Sequence, residues 1–297
     1  MSELKHDKWA GTTYGNGWMH RWLIRFLKVI DVRFIYAFAY VFVVPPTMVV
    51  GKAARKAIYR YFRERLGYGP VKAFWNTYKN HCAFSQVVID KFAMYAGKKF
   101  KIAIDGYDNF LDLAKGESGF VQLSSHIGNY EIAGYSLPVE NKRFNALVFA
   151  GEKESVMANR SKMFDVNNIR MIPMMPDMSH LFVIDAAISD GEILSMPADR
   201  VFGSQKTFRI PFLGKEAKFP QGPFILAAMR NVPMLFVAVM KEKSKTYHIT
   251  VKKLPMFDDG NSRTKAKRLA EAYVAELEKI VNRYPTQWYN YFDFWAE

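Results

Sequence analysis

From Gly119 onward the chain alternates short apolar runs with longer stretches of mixed character, and this alternation restricts the fold more than any other feature. The runs are Gly119–Ser124, Asn145–Ala150, Ile169–Ile172, Ile193–Met196, Met234–Met240 and Tyr247–Lys252. Lengths of four to seven residues suit buried strands rather than helices. Helices are predicted over Asn129–Leu137, Ser155–Phe164, Ser179–Ile188, Pro223–Arg230 and roughly Arg263 to Tyr284. The last carries Leu269, Tyr273, Leu277, Ile280 and Tyr284 on one face, and Pro285 stops it. Such alternation predicts an α/β fold, a central sheet flanked by helices.

The chain has 297 residues, of which 50% are hydrophobic and 15% aromatic, enough for a substantial core and inconsistent with a disordered protein. Its single cysteine, Cys82, excludes an intramolecular disulfide and a cysteine zinc cage. The six histidines are scattered without ligand spacing, so no metal site is expected.

Charge separates the first quarter from the rest. The net charge is +14, of which +10 falls in residues 1–80. A basic segment joined to a near-neutral body points to a polyanionic partner: nucleic acid, anionic lipid or an acidic carrier. No nucleic-acid-binding module is recognisable. Trp9, Trp18, Trp22 and Trp75 lie in the basic segment, and Trp288 and Trp295 lie near the other end. Indoles beside Lys and Arg suit a membrane–water interface, or else they clamp the termini onto the core.

Phe34–Gly51 is uncharged but 18 residues long, slightly short of an ordinary span, and Pro45-Pro46 interrupts it. Prolines lack the backbone donor and push their predecessors out of helical geometry, so a re-entrant or in-plane helical pair is expected. Acidic residues before it and no small-residue cleavage site after it speak against a secretory signal, which leaves the protein on the cytoplasmic side. Next, Ala53–Leu66 places Ala54, Ile58, Phe62 and Leu66 every four residues among five cations. That is a basic amphipathic helix, resting on anionic headgroups or presenting a solvated face. Gly67-Tyr-Gly-Pro70 ends it, and a helix from about Val71 to Ala96 follows.

The chemistry is expected where the first strand ends, in Ser124-Ser-His-Ile-Gly-Asn-Tyr-Glu131. Sites of α/β enzymes lie at the carboxyl edge of the sheet. His126 falls in that loop, and Glu131 in the first turn of the next helix could reach back to the imidazole. A carboxylate on one ring nitrogen fixes the tautomer and leaves the other basic enough to take a proton from a hydroxyl or amine. A structural histidine beside a helix-capping glutamate would look the same. Ser124 and Ser125 stand in no Gly-x-Ser-x-Gly elbow, which favours direct transfer over a covalent intermediate.

The block closely resembles the His-x4-Asp/Glu motif of the lysophospholipid acyltransferase superfamily, and most of all its lipid A biosynthesis (lauroyl/myristoyl) acyltransferase branch. Pro197-Ala-Asp-Arg-Val-Phe-Gly203, Ile210–Ala227, Val232-Pro-Met-Leu235 and the closing Tyr284–Trp295 follow in that family's order. The resemblance implies a basic, aromatic-rich helical membrane-associating segment over residues 1–97. Over residues 98–297 it implies an α/β acyltransferase domain with the lysophospholipid-acyltransferase-like sheet. It implies an enzyme at the cytoplasmic face of the bacterial inner membrane, peripheral or re-entrant. The implied reaction moves a fatty acyl group from a thioester, on acyl carrier protein or CoA, to a hydroxyl or amine of a lipid or glycolipid, without a cofactor. By the same resemblance His126 is the general base and Glu131 its partner, with Glu152 competing for the orienting role. Arg160 and the Asp199-Arg200 pair fall near positions used for donor or acceptor, and Asn129 joins them as a candidate. Backbone N–H groups near Gly128-Asn129 or after Pro211-Phe-Leu-Gly214 are candidates for the oxyanion. The other readings are a thioesterase or esterase on the same histidine, and a non-enzymatic membrane-binding protein.

Overall fold

The computed structural model of the protein describes residues 17–137, 141–149, 157–161, 168–175, 177–201 and 206–295. The chain divides into two compact units. Unit 1 gathers Met1–Lys98, Phe149–Lys162 and Asn290–Asp293, and unit 2 gathers Lys99–Val148, Met163–Tyr289 and Phe294–Glu297.

Unit 1 is helical: α1 (Gly17–Val29), α2 (Val32–Val50), α3 (Lys52–Arg60) and α4 (Pro70–Tyr95). Pro70 opens α4 in the first turn, where a missing N–H costs nothing. The first three helices all pack on α4. Tyr36 of α2 donates its hydroxyl proton to the buried carboxylate of Asp90 on α4, and Tyr78 donates to the Tyr40 carbonyl at 3.0 Å.

Pro45-Pro46 does not split α2 into a helical pair. Residues Ala39–Val43 form a π-helical segment, and Val44–Val50 resumes the α-helix with the prolines in its first turn. Widening the ladder by one residue ahead of the prolines relieves their clash with the preceding turn and absorbs the lost donors. The outcome is one 19-residue helix near the N-terminus, long and apolar enough to cross a membrane, of which 28% is buried. The expected stripe of the basic helix shifts for a related reason. A second π-helical segment, Tyr61–Arg65, follows α3, and Ile58, Tyr61 and Phe62 are the side chains fully inside. Much of the remaining apolar surface is open: Trp18, Trp22, Phe26, Phe34, Phe38, Phe42, Phe74 and Trp75 are each about half exposed or more.

Unit 2 is the α/β body. Its strands are β1 (Lys101–Asp105), β2 (Phe120–Ser124), β3 (Phe144–Phe149), β4 (Ile169–Met174), β5 (Ile193–Pro197), β8 (Met234–Lys243) and β9 (Thr246–Lys253). They form one sheet in the order β1-β9-β8-β2-β5-β3-β4. Strands β8, β2, β5 and β3 run parallel, while β9 is antiparallel to β8 and parallel to β1. Every residue of β2 is buried. Its Phe120, Val121 and Leu123 are each worth about 1.5–3 kcal/mol of burial.

Among the described residues, α-helices α5 (Tyr107–Lys115), α6 (Glu131–Ser136), α7 (His180–Ser189), α8 (Gly222–Arg230) and α9 (Ser262–Arg283) belong to the same unit. The Asn261 side chain caps α9 by accepting from the Thr264 N–H. The buried face of α9 runs through Ala266, Leu269, Ala270, Tyr273, Val274, Leu277, Ile280 and Val281, the spacing of a helix laid on a core. A separate hairpin, β6 (Thr207–Phe212) and β7 (Lys215–Pro220), turns through Leu213-Gly214. Both turn residues have positive φ, the twist a two-residue hairpin requires. Of the predicted helix Ser155–Phe164, residues 157–161 are described and helical.

Candidate active site

The site follows from strand register. Strands β2 and β5 pair in parallel with Ser124 opposite Pro197, and the Ala198 N–H extends the ladder to the Ser124 carbonyl at 3.0 Å. Two residues past each strand end come His126 and Asp199, so parallel pairing delivers them to the same level at the carboxyl edge. The Asp199 carboxylate accepts from His126 twice. Oδ1 lies 2.8 Å from Nδ1, and Oδ2 accepts the His126 backbone N–H at 2.8 Å. Asp199 is fully buried, whereas 18% of the His126 side chain is exposed.

This geometry corrects one expectation. The carboxylate on Nδ1 is Asp199, from the neighbouring strand, rather than Glu131. Glu131 opens α6 and is half-buried. Burial alone would raise the Asp199 pKa, but the imidazole's charge and hydrogen bond, and then Arg200, hold it below the ordinary carboxylate value. An ionised Asp199 needs a proton on Nδ1, which leaves the Nε2 lone pair as the basic position. Burial, followed by the Arg200 charge, lowers the His126 pKa below 6.5 against the pull of Asp199. The ring is therefore neutral and able to accept a proton at pH 7. The Tyr130 ring stands edge-on to it, with centroids 5.9 Å apart.

Backbone bonds fix the loop that carries the imidazole. The Gly128 N–H donates to the Gln287 carbonyl and the Asn129 N–H to the Val239 carbonyl, both at 2.8 Å. These bonds remove the Gly128-Asn129 amides from the oxyanion candidates, since both donors are spent on the protein. Gly128 has φ +56°, and a Cβ there would lie 1.9 Å from the Val239 oxygen, so only glycine fits. Ile127 bridges Trp288, which is wholly buried. The Tyr289 N–H donates to the His126 carbonyl at 3.0 Å, while the Tyr289 carbonyl accepts from Arg200 at 2.7 Å. A closed circuit thus runs from His126 through Asp199, Arg200 and Tyr289 back to His126.

Asn129 belongs to the scaffold: it is buried, and its amide donates to the Tyr247 hydroxyl at 3.3 Å. Arg160 falls in unit 1, buried, with Nη1 3.7 Å from the Met157 sulfur. Glu152 lies outside the described residues. The Pro211–Gly214 stretch is the end of the β6–β7 hairpin and its turn.

Tyr273, which its place in the helical stripe marks only as core, also touches the candidate site. It is completely buried on α9, and its hydroxyl donates to the Ser124 carbonyl at 3.1 Å. With its one proton so placed, it accepts from the Ser125 hydroxyl at 2.6 Å. Ser125 is thereby committed inward, and the end of β2 is pinned just before His126. The trace in the sequence is a tyrosine between Leu269 and Leu277 in the buried stripe. Among the described residues no three His, Cys, Asp or Glu side chains gather into a metal site.

The family profile described as bacterial lipid A biosynthesis acyltransferase matches residues 86–295. No curated protein matches the chain. Among solved structures, the chain resembles the 1-acyl-sn-glycerophosphate (LPA) acyltransferase PlsC from Thermotoga maritima at 14% identity and a TM-score of 0.38. That match covers 87% of this chain and 96% of the other.

Proposed function

Because the chain belongs to the bacterial lipid A biosynthesis acyltransferase family and is an acyltransferase, we propose that His126 is the general base of a direct acyl transfer oriented by Asp199. The observation that carries this reading is the doubly held carboxylate: one oxygen fixes the Nδ1 proton, and the other fixes the loop. The lipid hydroxyl or amine gives its proton to Nε2 as its oxygen or nitrogen attacks the thioester carbonyl. The thiolate leaves and takes the proton back. The donor is an acyl thioester on acyl carrier protein or CoA, and the acceptor is a lipid or glycolipid.

Membrane association is part of the proposal. The open aromatic surface of α1, α2 and α4 lies in the segment that holds most of the chain's positive charge. Arg25 sits over the Trp22 ring at 5.4 Å, a cation and an indole side by side as an interface requires. The expected location is the cytoplasmic face of the inner membrane.

The test is transfer from a labelled acyl thioester by the full chain in detergent or vesicles. His126→Ala lowers turnover by about two to four orders of magnitude. Near-normal transfer by that variant would reject the base assignment. Release of free fatty acid without acylated lipid would favour a hydrolase. Lipid mass spectrometry of cells with and without the gene identifies the acceptor as a species lighter by one acyl chain.

A further inference from the structure

A second polar feature of unit 2 is unused by this chemistry. A cavity of about 140 Å³ opens beside the β6–β7 hairpin, lined by Arg209, Lys215, Glu216, Ala217, Lys218, Phe294 and Trp295. The alternation along the hairpin sets its character. Phe208, Ile210, Phe212, Ala217 and Phe219 point into the core, which sends Arg209 and Lys218 to the other face. In the antiparallel register Arg209 stands directly opposite Lys218. Like charges so placed destabilise a ladder. Among the described residues none of the four charged side chains lining the cavity forms an ion pair or a side-chain hydrogen bond. Three cations against one carboxylate leave the cavity positive.

The wall is built as well as charged. The Trp295 indole stacks on Phe212 at 15° with centroids 6.1 Å apart, and its Nε1 donates to the Phe212 carbonyl at 3.2 Å. Phe212 meets Trp288 edge-on at 5.5 Å, and Trp288 bridges Ile127, the residue after His126. A chain of three aromatic rings, Trp295, Phe212 and Trp288, therefore connects the cavity wall to the loop that carries the imidazole. The volume is below the roughly 300–1,000 Å³ of a pocket that swallows a whole small molecule. It suits one anionic group of a larger ligand that extends elsewhere.

We propose that this cavity is a phosphate-ester subsite, with Arg209 and Lys218 gripping a phosphate of one of the two transferase substrates and the Trp295 indole lining the group attached to it. The planar guanidinium fork matches phosphate oxygens, and the ammonium adds a point charge. An anion between the two side chains turns a repulsive cross-strand pair into a bridged one. The phosphate comes either from a phosphorylated lipid headgroup or from the pantetheine-phosphate arm of the thioester donor. The inference rests on the acyltransferase reading for its role, while the anion site itself stands on the hairpin geometry.

The test uses Arg209→Gln, Lys218→Gln and the double variant in the full chain, with Lys218→Arg as the conservative control. If the headgroup supplies the phosphate, each single loss raises the acceptor KM about 10- to 100-fold, the range for removing one charge-assisted bond, with kcat and donor KM unchanged. If the donor supplies it, the donor KM rises instead. Lys218→Arg keeps wild-type values in either case. A second readout needs no catalysis: glucosamine 1-phosphate raises the thermal midpoint of the wild type, glucosamine does not, and the double variant loses the shift. Unchanged KM values, together with equal thermal shifts in wild type and double variant, would overturn the subsite. A wild type that binds the sugar phosphate yet transfers no acyl group would reject the acyltransferase role and keep the anion site.

Discussion

Tryptophan is used in opposite ways at the two ends of the chain. Trp18, Trp22 and Trp75 stand 57%, 49% and 54% exposed on the helices of unit 1, whereas Trp288 of unit 2 is wholly buried against Phe212 and Phe294 and bridges Ile127. The same side chain is surface in one place and brace in the other. Burying an indole in a core stabilises a loop, and leaving several open beside arginines makes a face that something apolar and anionic can cover. Composition alone registers six tryptophans and cannot separate the two uses.

The sharpest way to break this contrast is at Gly128. In Gly128→Ala the added carbon would meet the Val239 carbonyl, so the loop must leave its bridge. We expect a loss of about 4 kcal/mol or more in denaturant unfolding, and no measurable transfer. Trp288→Ala removes the brace and costs about 3–5 kcal/mol. Tyr273→Phe keeps the packing but leaves the Ser124 carbonyl and Ser125 hydroxyl without their partner, for about 1–3 kcal/mol and a several-fold fall in kcat. The smallest stability effects belong to Trp18→Ala, Trp22→Ala and Trp75→Ala, within about 0.5 kcal/mol each. Those three instead weaken binding to anionic vesicles, by about 1 kcal/mol each for the apolar area withdrawn. Vesicle binding indifferent to all three would dissolve the contrast.

The strands of the parallel core were legible because a strand buried on both faces reads as a continuous apolar run. Strands β1, β6 and β7 were not. Lys101–Asp105 lies at a sheet edge and is mostly exposed, and the hairpin strands carry Arg209, Glu216 and Lys218 on an open face and the exposed Lys215 at a strand end. No run of apolar residues marks them. Helix α2 shows the limit of a local rule: the proline argument was sound for an α-helical ladder, and a π-helical segment changed the ladder. At the site, His126 was visible from its position after β2. Its partner was less so, because Glu131 is near in sequence while Asp199 is near in space, 73 residues on, through a pairing register that no local pattern reports. Tyr273 was hidden for the same reason.

The central claim is an imidazole kept neutral by burial and Arg200, and oriented by Asp199. Its most direct test is the pH dependence of kcat/KM for transfer, in the wild type and in Asp199→Asn. Burial and Arg200 favour the neutral ring, so activity should rise with pH along a single limb whose midpoint lies below 6.5 and then stay level through neutrality. Asparagine offers one acceptor where His126 presents two donors, so the plateau should fall by about 100-fold or more. A wild-type limb whose midpoint lies at or above pH 6.5, or an Asp199→Asn plateau equal to the wild type, would contradict the account.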